Sequence, residues 1–117
     1  MARDPETFLP LSPAPFHLLV ALSGGDRHGY ALMQEVEALS GGRVRMGPGT
    51  MYGTLKRLCS DGLVEESAQR PDRDLDDQRR RYYRLTALGM QVCSAEADRL
   101  AALARVARRN LRPGLAT

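Results

Sequence analysis

The stretch that decides the fold is GPGTMYGTLKRLCSDGLVEES, residues 47–67. Pro48 suits the first turn of a helix, where its missing N–H costs no hydrogen bond, and Gly62 suits the turn after a helix C-terminus. Apolar side chains recur between them at helical spacing and would face a core. The stretch therefore predicts a helix from about Pro48 to Ser60, followed by a short strand from Leu63 to Ser67.

Two further helices are predicted before this stretch. The first begins after Ser12 and ends at the glycine pair that follows Ser23. The second begins near His28 and runs to about Ser40, where another glycine pair stops it. Residues 1–11 hold two prolines and no periodicity, so they predict a flexible N-terminal arm.

A second strand and a long last helix are predicted after it. Residues 82–85 alternate between two faces, and a polar, charged stretch of residues 68–78 separates them from the first strand. Two strands joined in this way predict a hairpin with a solvated tip. Thr86 suits the N-cap of a helix of residues 87–111, and residues 112–117 are predicted to be a flexible tail.

This order of elements predicts a mainly α fold with a small β hairpin. A winged helix-turn-helix domain of residues 12–86 would be followed by a long C-terminal dimerisation helix, residues 87–111. The apolar band of that helix, flanked by charged residues such as Glu96, is too long for the small domain to cover. A second copy of the chain would bury it. The predicted dimerisation residues are Leu88, Val92, Leu100, Leu103 and Ala107.

The third helix and the hairpin carry the candidate nucleic-acid contacts. Clustered cations can replace the counterions that phosphates condense. Gly53 costs a helix roughly 0.5–1 kcal/mol relative to alanine, and this cost is explained if the helix approaches DNA closely there. The alternatives are that Gly53 permits packing between helices and that the charges are only solvated. The candidate DNA-contacting residues are Thr50, Tyr52, Gly53, Thr54, Lys56, Arg57, Arg79, Arg80 and Arg81.

Composition narrows the classes of function. The chain has 117 residues, a formal net charge of +3 and 43% hydrophobic residues, which predict one packed domain. No apolar run approaches the roughly 20 residues of a membrane span, and the N-terminal segment lacks a signal-peptide core, so a cytoplasmic protein is predicted. Neither Cys59 nor Cys93 belongs to a CxxC pair or has metal-ligand spacing to a histidine. No catalytic residues, metal or cofactor are predicted, and an enzyme is not expected.

Four motifs together resemble a known family. They are HGYAL at residues 28–32, GTMYGTLKRL at 49–58, DGLV at 61–64 and RYYRLTALG at 81–89. In this order and spacing they resemble the PadR-like transcriptional regulators, in particular the compact branch with a single C-terminal helix. The resemblance covers nearly the whole chain, residues 11–111.

The resemblance implies a cytoplasmic homodimer that represses genes by binding an inverted-repeat operator in double-stranded DNA. It implies DNA contacts from Tyr52, Lys56 and the arginine-rich wing, and release by a small-molecule effector. Some compact members grip aromatic ligands with a tryptophan of the last helix, whereas this chain has no tryptophan. The alternative function is a winged helix that binds another protein without specific DNA binding.

Overall fold

The computed structural model describes residues 3–67 and 81–112. A 3-10 helix at Pro5–Phe8 precedes four α-helices and three strands. They are α1 (Pro13–Ser23), β1 (Arg27–His28), α2 (Gly29–Leu39), α3 (Pro48–Ser60), β2 (Val64–Glu66), β3 (Tyr82–Leu85) and α4 (Ala87–Asn110). The predicted fold class is confirmed, and the three predicted helices of the winged domain agree with the structure to within a residue at each end.

The hydrogen bonds at the end of α3 explain why the sequence alone was sufficient to predict where this helix ends. Gly62 adopts a left-handed backbone with φ of 79°, which a residue with a β-carbon rarely adopts. Its N–H donates to the carbonyl of Cys59 at 3.1 Å, and the N–H of Leu63 donates to that of Leu58 at 2.9 Å. This pair of bonds satisfies the last carbonyls of the helix and turns the chain directly into β2.

The three strands form one antiparallel sheet in the order β1–β3–β2. β2 and β3 are the predicted hairpin, with Val64 opposite Leu85 and Glu66 opposite Tyr83. The two-residue strand β1 was not predicted, and it pairs its Arg27 with Tyr83. Because β3 lies in the middle, it fixes the start of α2 on one side and the end of α3 on the other.

The core lies between the helices and one face of the sheet, and α4 contributes to it only with its N-terminal half. Thr86 caps α4 by accepting a hydrogen bond from the N–H of Gly89 at 2.9 Å, as predicted. Gly89 lies so close to Leu63 that a β-carbon on it would collide with the Leu63 carbonyl oxygen. Fully buried core side chains include Leu18, Leu19, Leu32, Met51, Leu55, Leu63 and Val92.

Part of the segment predicted as a flexible arm contains secondary structure. Residues 3–11 contain the 3-10 helix, which packs against α4. Asp4 caps that helix by accepting from the N–H of Glu6, and the N–H of Leu11 donates to the carboxylate of Glu96 at 2.7 Å. Glu96, predicted to flank the apolar band, is instead 1% exposed. No described helix has the length and apolar character needed to cross a membrane.

Candidate DNA-binding surface

Helix α3 has one buried face and one exposed, cationic face. Met51, Leu55 and Leu58 are at most 3% exposed and pack into the core. The opposite face carries Lys56 and Arg57 as its only charged residues, so α3 presents two positive charges and no negative charge. The exposed residues of this face are Gly49, Thr50, Gly53, Lys56, Arg57 and Ser60.

The N-terminal end of α3 adds to this positive potential. Its N-cap is Gly47, and no side chain makes a capping hydrogen bond to the first turn. The first turn also contains no acidic residue. The unpaired N–H groups and the helix dipole therefore make this end attractive to an anion such as phosphate.

Gly53 lies in the middle of the exposed face. A β-carbon built on it would meet no atom within 4 Å. Since no described part of the chain packs there, Gly53 does not serve packing between helices within this chain. The position is therefore open to another molecule.

Two predicted contacts on α3 are engaged inside the domain. The Thr54 hydroxyl donates to the Thr50 carbonyl at 2.8 Å. The ring of Tyr52 packs against Gly29, where a β-carbon would lie only 2.5 Å from the tyrosine hydroxyl, and that hydroxyl is buried. We therefore assign Tyr52 to the packing of α3 against the start of α2 rather than to a phosphate contact.

Arg84 of β3 and Arg81, directly before β3, are paired with acidic residues of β2. Arg84 contacts Glu65 at 2.9 Å, and Arg81 contacts Glu66 at 3.6 Å. A phosphate contact by Arg81 would compete with this ion pair. Arg79 and Arg80, the other predicted wing contacts, lie outside the described residues.

The start of α2 holds a candidate contact that the sequence argument missed. His28 caps α2 by accepting from the N–H of Ala31 at 3.1 Å, and its ring meets Tyr82 edge-on with centroids 5.5 Å apart. Tyr30 follows it and is 54% exposed. Tyr30 is adjacent in sequence to Gly29, which contacts the Tyr52 side chain of α3.

The predicted dimerisation residues divide into two groups along α4. Val92 is fully buried in the core of its own chain, so it is not available to a partner. Leu88 is half-buried against the same core. Further along, Leu100 is half-buried, Leu103 is 58% exposed and Ala107 is exposed. Only the second group lies on a surface that a partner can cover.

An ion pair between buried Glu96 and partly exposed Arg99 marks the boundary between these two halves of α4. Arg99 donates to both carboxylate oxygens of Glu96. This bonding, with the Leu11 N–H and the positive charge, lowers the pKa of Glu96 below its ordinary value, although burial acts in the opposite direction. Glu96 therefore stays ionised while almost fully enclosed.

Neither cysteine is activated. Burial raises the pKa of the Cys59 thiol, with a further contribution from the negative charge of Glu66. Burial also raises the pKa of the Cys93 thiol. Both are therefore protonated at neutral pH and weakly nucleophilic. Within residues 3–67 and 81–112, no three histidine, cysteine or acidic side chains gather in a way that could hold a metal ion.

The sequence of the winged domain matches a family of regulators. The model of the transcriptional regulator PadR-like family matches residues 18–95, from within α1 to within α4. The chain belongs to the PadR-like family. Its members are DNA-binding transcriptional regulators that often dimerise.

Two relatives are similar to this chain in sequence. The transcriptional regulator Rv3488 of Mycobacterium tuberculosis is 37% identical over 89 residues, which are 76% of this chain and 77% of that protein. An uncharacterised protein of a Streptomyces fradiae transposon is 38% identical over 87 residues. That match covers 74% of this chain but only 22% of the longer relative.

Solved structures share the fold. RosR of H. salinarum has a TM-score of 0.61 at 28% identity, over 82% of this chain and 76% of that one. A PadR family regulator of Clostridium difficile has a TM-score of 0.68 over 86% of this chain and 99% of that one. At 22% identity the second likeness concerns the fold alone.

Proposed function

We propose that this PadR-like regulator is a cytoplasmic repressor that binds an inverted-repeat operator as a homodimer and is released by a small-molecule effector. The observation that carries the proposal is the exposed face of α3, which is cationic, free of acidic residues and open at Gly53. A helix with such a face fits the major groove, which is wide enough to admit it.

The proposed DNA contacts follow from exposure. Lys56 and Arg57 are exposed and lie on the same side as Thr50 and Gly53. Lys56 would contact phosphate, and Arg57 would contact phosphate or bond bidentately to a guanine. The proposed contacts from the wing remain Arg79, Arg80 and Arg81. A contact by Arg81 would require its ion pair with Glu66 to break.

A winged helix that binds protein would need apolar anchors on the same surface. None of the large exposed apolar side chains of the described residues is on α3; they lie on α2, on α4 and directly after α4 instead. They are Tyr30, Leu39, Met90, Leu103, Val106 and Leu111. The α3 face therefore favours DNA over a protein partner.

The test is the salt dependence of operator binding. Operator DNA would first be selected from random sequence, and its affinity measured by fluorescence anisotropy across a range of salt concentrations. Lys56→Ala should weaken binding to all sequences about equally. It should also reduce the slope of log K against log salt by about one unit for each phosphate that is no longer neutralised, or about two for a dimer.

Arg3→Gln is the matched control for charge. It removes one positive charge at the far end of α3, where Arg3 donates to the Asp61 carbonyl. This variant should leave the salt slope unchanged. If Lys56→Ala and Arg3→Gln behave alike, α3 does not bind DNA through Lys56.

The homodimer would be made by the exposed half of α4. Two α3 helices could then enter successive major grooves about 34 Å apart. Linking two weak half-site contacts can raise affinity by roughly 10²–10⁴. Leu100→Asp combined with Leu103→Asp should therefore give a monomer in sedimentation that has lost most specific binding. A variant that remains dimeric, or a monomer that binds as tightly as the parent, would contradict this role.

A further inference from the structure

A cavity lies where α4 meets the winged domain. It has a volume of about 460 Å³, and its walls come from the end of α1, the turn after it, β3 and the N-terminal half of α4. Gly25 in that turn has no side chain, and a β-carbon built on it would meet no atom within 4 Å, so the mouth of the cavity stays open. Binding sites for small molecules have volumes of roughly 300–1,000 Å³, so the cavity can hold a small organic molecule.

The floor of the cavity is apolar. Leu22, Leu85 and Cys93 line it, and each of them is at most 9% exposed. Met90 also lines it and is 59% exposed, and its flexible thioether side chain can adjust to the shape of a ligand. The Cys93 thiol is protonated at neutral pH because burial raises its pKa, so it adds no charge. The floor therefore fits an apolar group.

The charges around the cavity favour a cation. Among its described lining residues, the charged ones are Asp26 and Arg84. Arg84 is already paired with Glu65 at 2.9 Å. Asp26 forms no ion pair within residues 3–67 and 81–112, and the hydroxyl of buried Ser67 holds its carboxylate in place by donating to it at 2.8 Å. Asp26 therefore presents a positioned negative charge with which a ligand cation can pair.

The shape of the cavity favours a small molecule over a protein partner. Sites for small molecules are concave and mostly apolar, with a few precisely placed polar groups, and this cavity combines a recessed apolar floor with one oriented carboxylate. Stable protein interfaces bury about 800 Å² on each partner. Met90 is the only large exposed apolar side chain among the described lining residues. A protein partner would therefore find little apolar surface to cover here.

The cavity is formed within one copy of the chain. Its last lining residue on α4 is Ala97, whereas Leu100 and Leu103 of the proposed dimer follow later in the helix. One wall belongs to α4 and the other walls belong to the winged domain. A ligand in the cavity would therefore contact both parts at once and bear on the direction in which α4 leaves the domain.

We propose that this cavity binds a small apolar molecule that carries a positive charge. The apolar part of the molecule lies on Leu22, Leu85 and Cys93, and its cationic group pairs with Asp26. Such a molecule would serve as the effector of the repressor. This role rests on the proposed function, whereas binding to the cavity does not.

The first test compares two probes that share a biphenyl skeleton and differ in charge. Biphenylmethylamine is a cation at neutral pH, and biphenylcarboxylate is an anion. In calorimetric titrations of the whole chain without DNA, the amine should bind about tenfold more tightly than the carboxylate at low salt, and this difference should shrink at high salt. Asp26→Asn should remove most of the preference while keeping an acceptor for the Ser67 hydroxyl. A carboxylate that binds as tightly as the amine would overturn the proposal.

The second test locates the site. Ala97 lines the cavity, so Ala97→Phe places a ring in it and should weaken binding of the amine about tenfold or more. Ala101→Phe makes the same change one turn further along α4, outside the cavity, and should bind the amine like the parent. In a Cys59→Ala chain, the amine should also slow the alkylation of Cys93 by iodoacetamide. Equal binding by the two phenylalanine variants, or an unchanged rate of alkylation, would show that the amine does not bind in the cavity.

Operator binding separates this site from the proposed function. The amine should lower the operator affinity of the parent in fluorescence anisotropy and leave that of Ala97→Phe unchanged. If the amine binds in the cavity but operator affinity does not change, the ligand site stands and release by this effector fails. If neither probe binds the parent, the ligand site is wrong while DNA binding by α3 is untouched. If Ala97→Phe alone changes the association state in sedimentation, a second copy fills the cavity and the ligand proposal is overturned.

Discussion

Removing the buried carboxylate of Glu96 should destabilise the protein far more than removing an exposed one. Glu96 is 1% exposed, accepts from the Leu11 N–H at 2.7 Å and is bonded twice by Arg99. Glu96→Ala leaves the Leu11 N–H without its acceptor, at a cost of about 1–3 kcal/mol, and adds a small cavity. We expect the free energy of unfolding to fall by about 3 kcal/mol.

The matched control is another glutamate bonded to an arginine. Glu65 contacts Arg84 at 2.9 Å, but both side chains are about half exposed. Exposed ion pairs contribute about 0.2–1 kcal/mol, so Glu65→Ala should cost less than about 1 kcal/mol. Glu96→Gln keeps an acceptor for the Leu11 N–H, so its loss of unfolding free energy should lie between those of the two alanine variants.

The assay is urea unfolding at one fixed protein concentration, repeated across acidic pH. The pKa of Glu96 is lowered in the folded state, mainly by Arg99. Its ionised form therefore contributes stability that is fully present above the ordinary carboxyl value of 4.5 and is lost as the pH falls through the folded pKa. The difference between the parent and Glu96→Gln should shrink over that acidic range. Equal losses of unfolding free energy for Glu96→Ala and Glu65→Ala would refute this explanation.

Two glycines yield opposite predictions. Gly89→Ala should lower the free energy of unfolding by about 1–3 kcal/mol or prevent folding, because its β-carbon would overlap the Leu63 carbonyl and backbone cannot easily give way; unchanged urea unfolding would contradict this. Gly53→Ala should raise the free energy of unfolding by about 0.5–1 kcal/mol, since nothing lies within 4 Å, and should weaken operator binding in fluorescence anisotropy. A Gly53→Ala variant that is stabilised and binds DNA as well as the parent would show that the glycine does not serve close approach.

Helix α3 could be predicted because its signals are local and agree. Pro48 and Gly62 mark its ends, and the apolar spacing between them gives one buried face. Strand β1 could not be predicted in this way. Two residues carry no periodicity, and Arg27 is extended because it pairs with Tyr83, far along the chain. Tertiary pairing decides the conformation there.

The candidate site shows the same division. The sequence predicted the charged face of α3, because polar residues that lie outside the apolar face of a helix usually point to solvent. It could not show which polar atoms are already engaged. Tyr52 lies off the stripe of Met51 and Leu55, yet its hydroxyl is buried against Gly29. Glu96 is buried because residues before α1 cover it, a contact that no helical pattern contains.

Helix α4 ties the domain to the proposed dimer without a linker. Its start is fixed to the turn between α3 and β2, because Thr86 donates hydrogen bonds to the carbonyls of Gly62 and Leu63, and Gly89 lies against Leu63. Its C-terminal half extends beyond the core. Leu63 directly follows the turn that ends α3. The same backbone contacts therefore fix both the direction of α4 and the position of the end of α3. In the proposed dimer, the spacing of the two α3 helices would be set by how the α4 helices cross, so a ligand that changed this crossing would change operator affinity without touching α3.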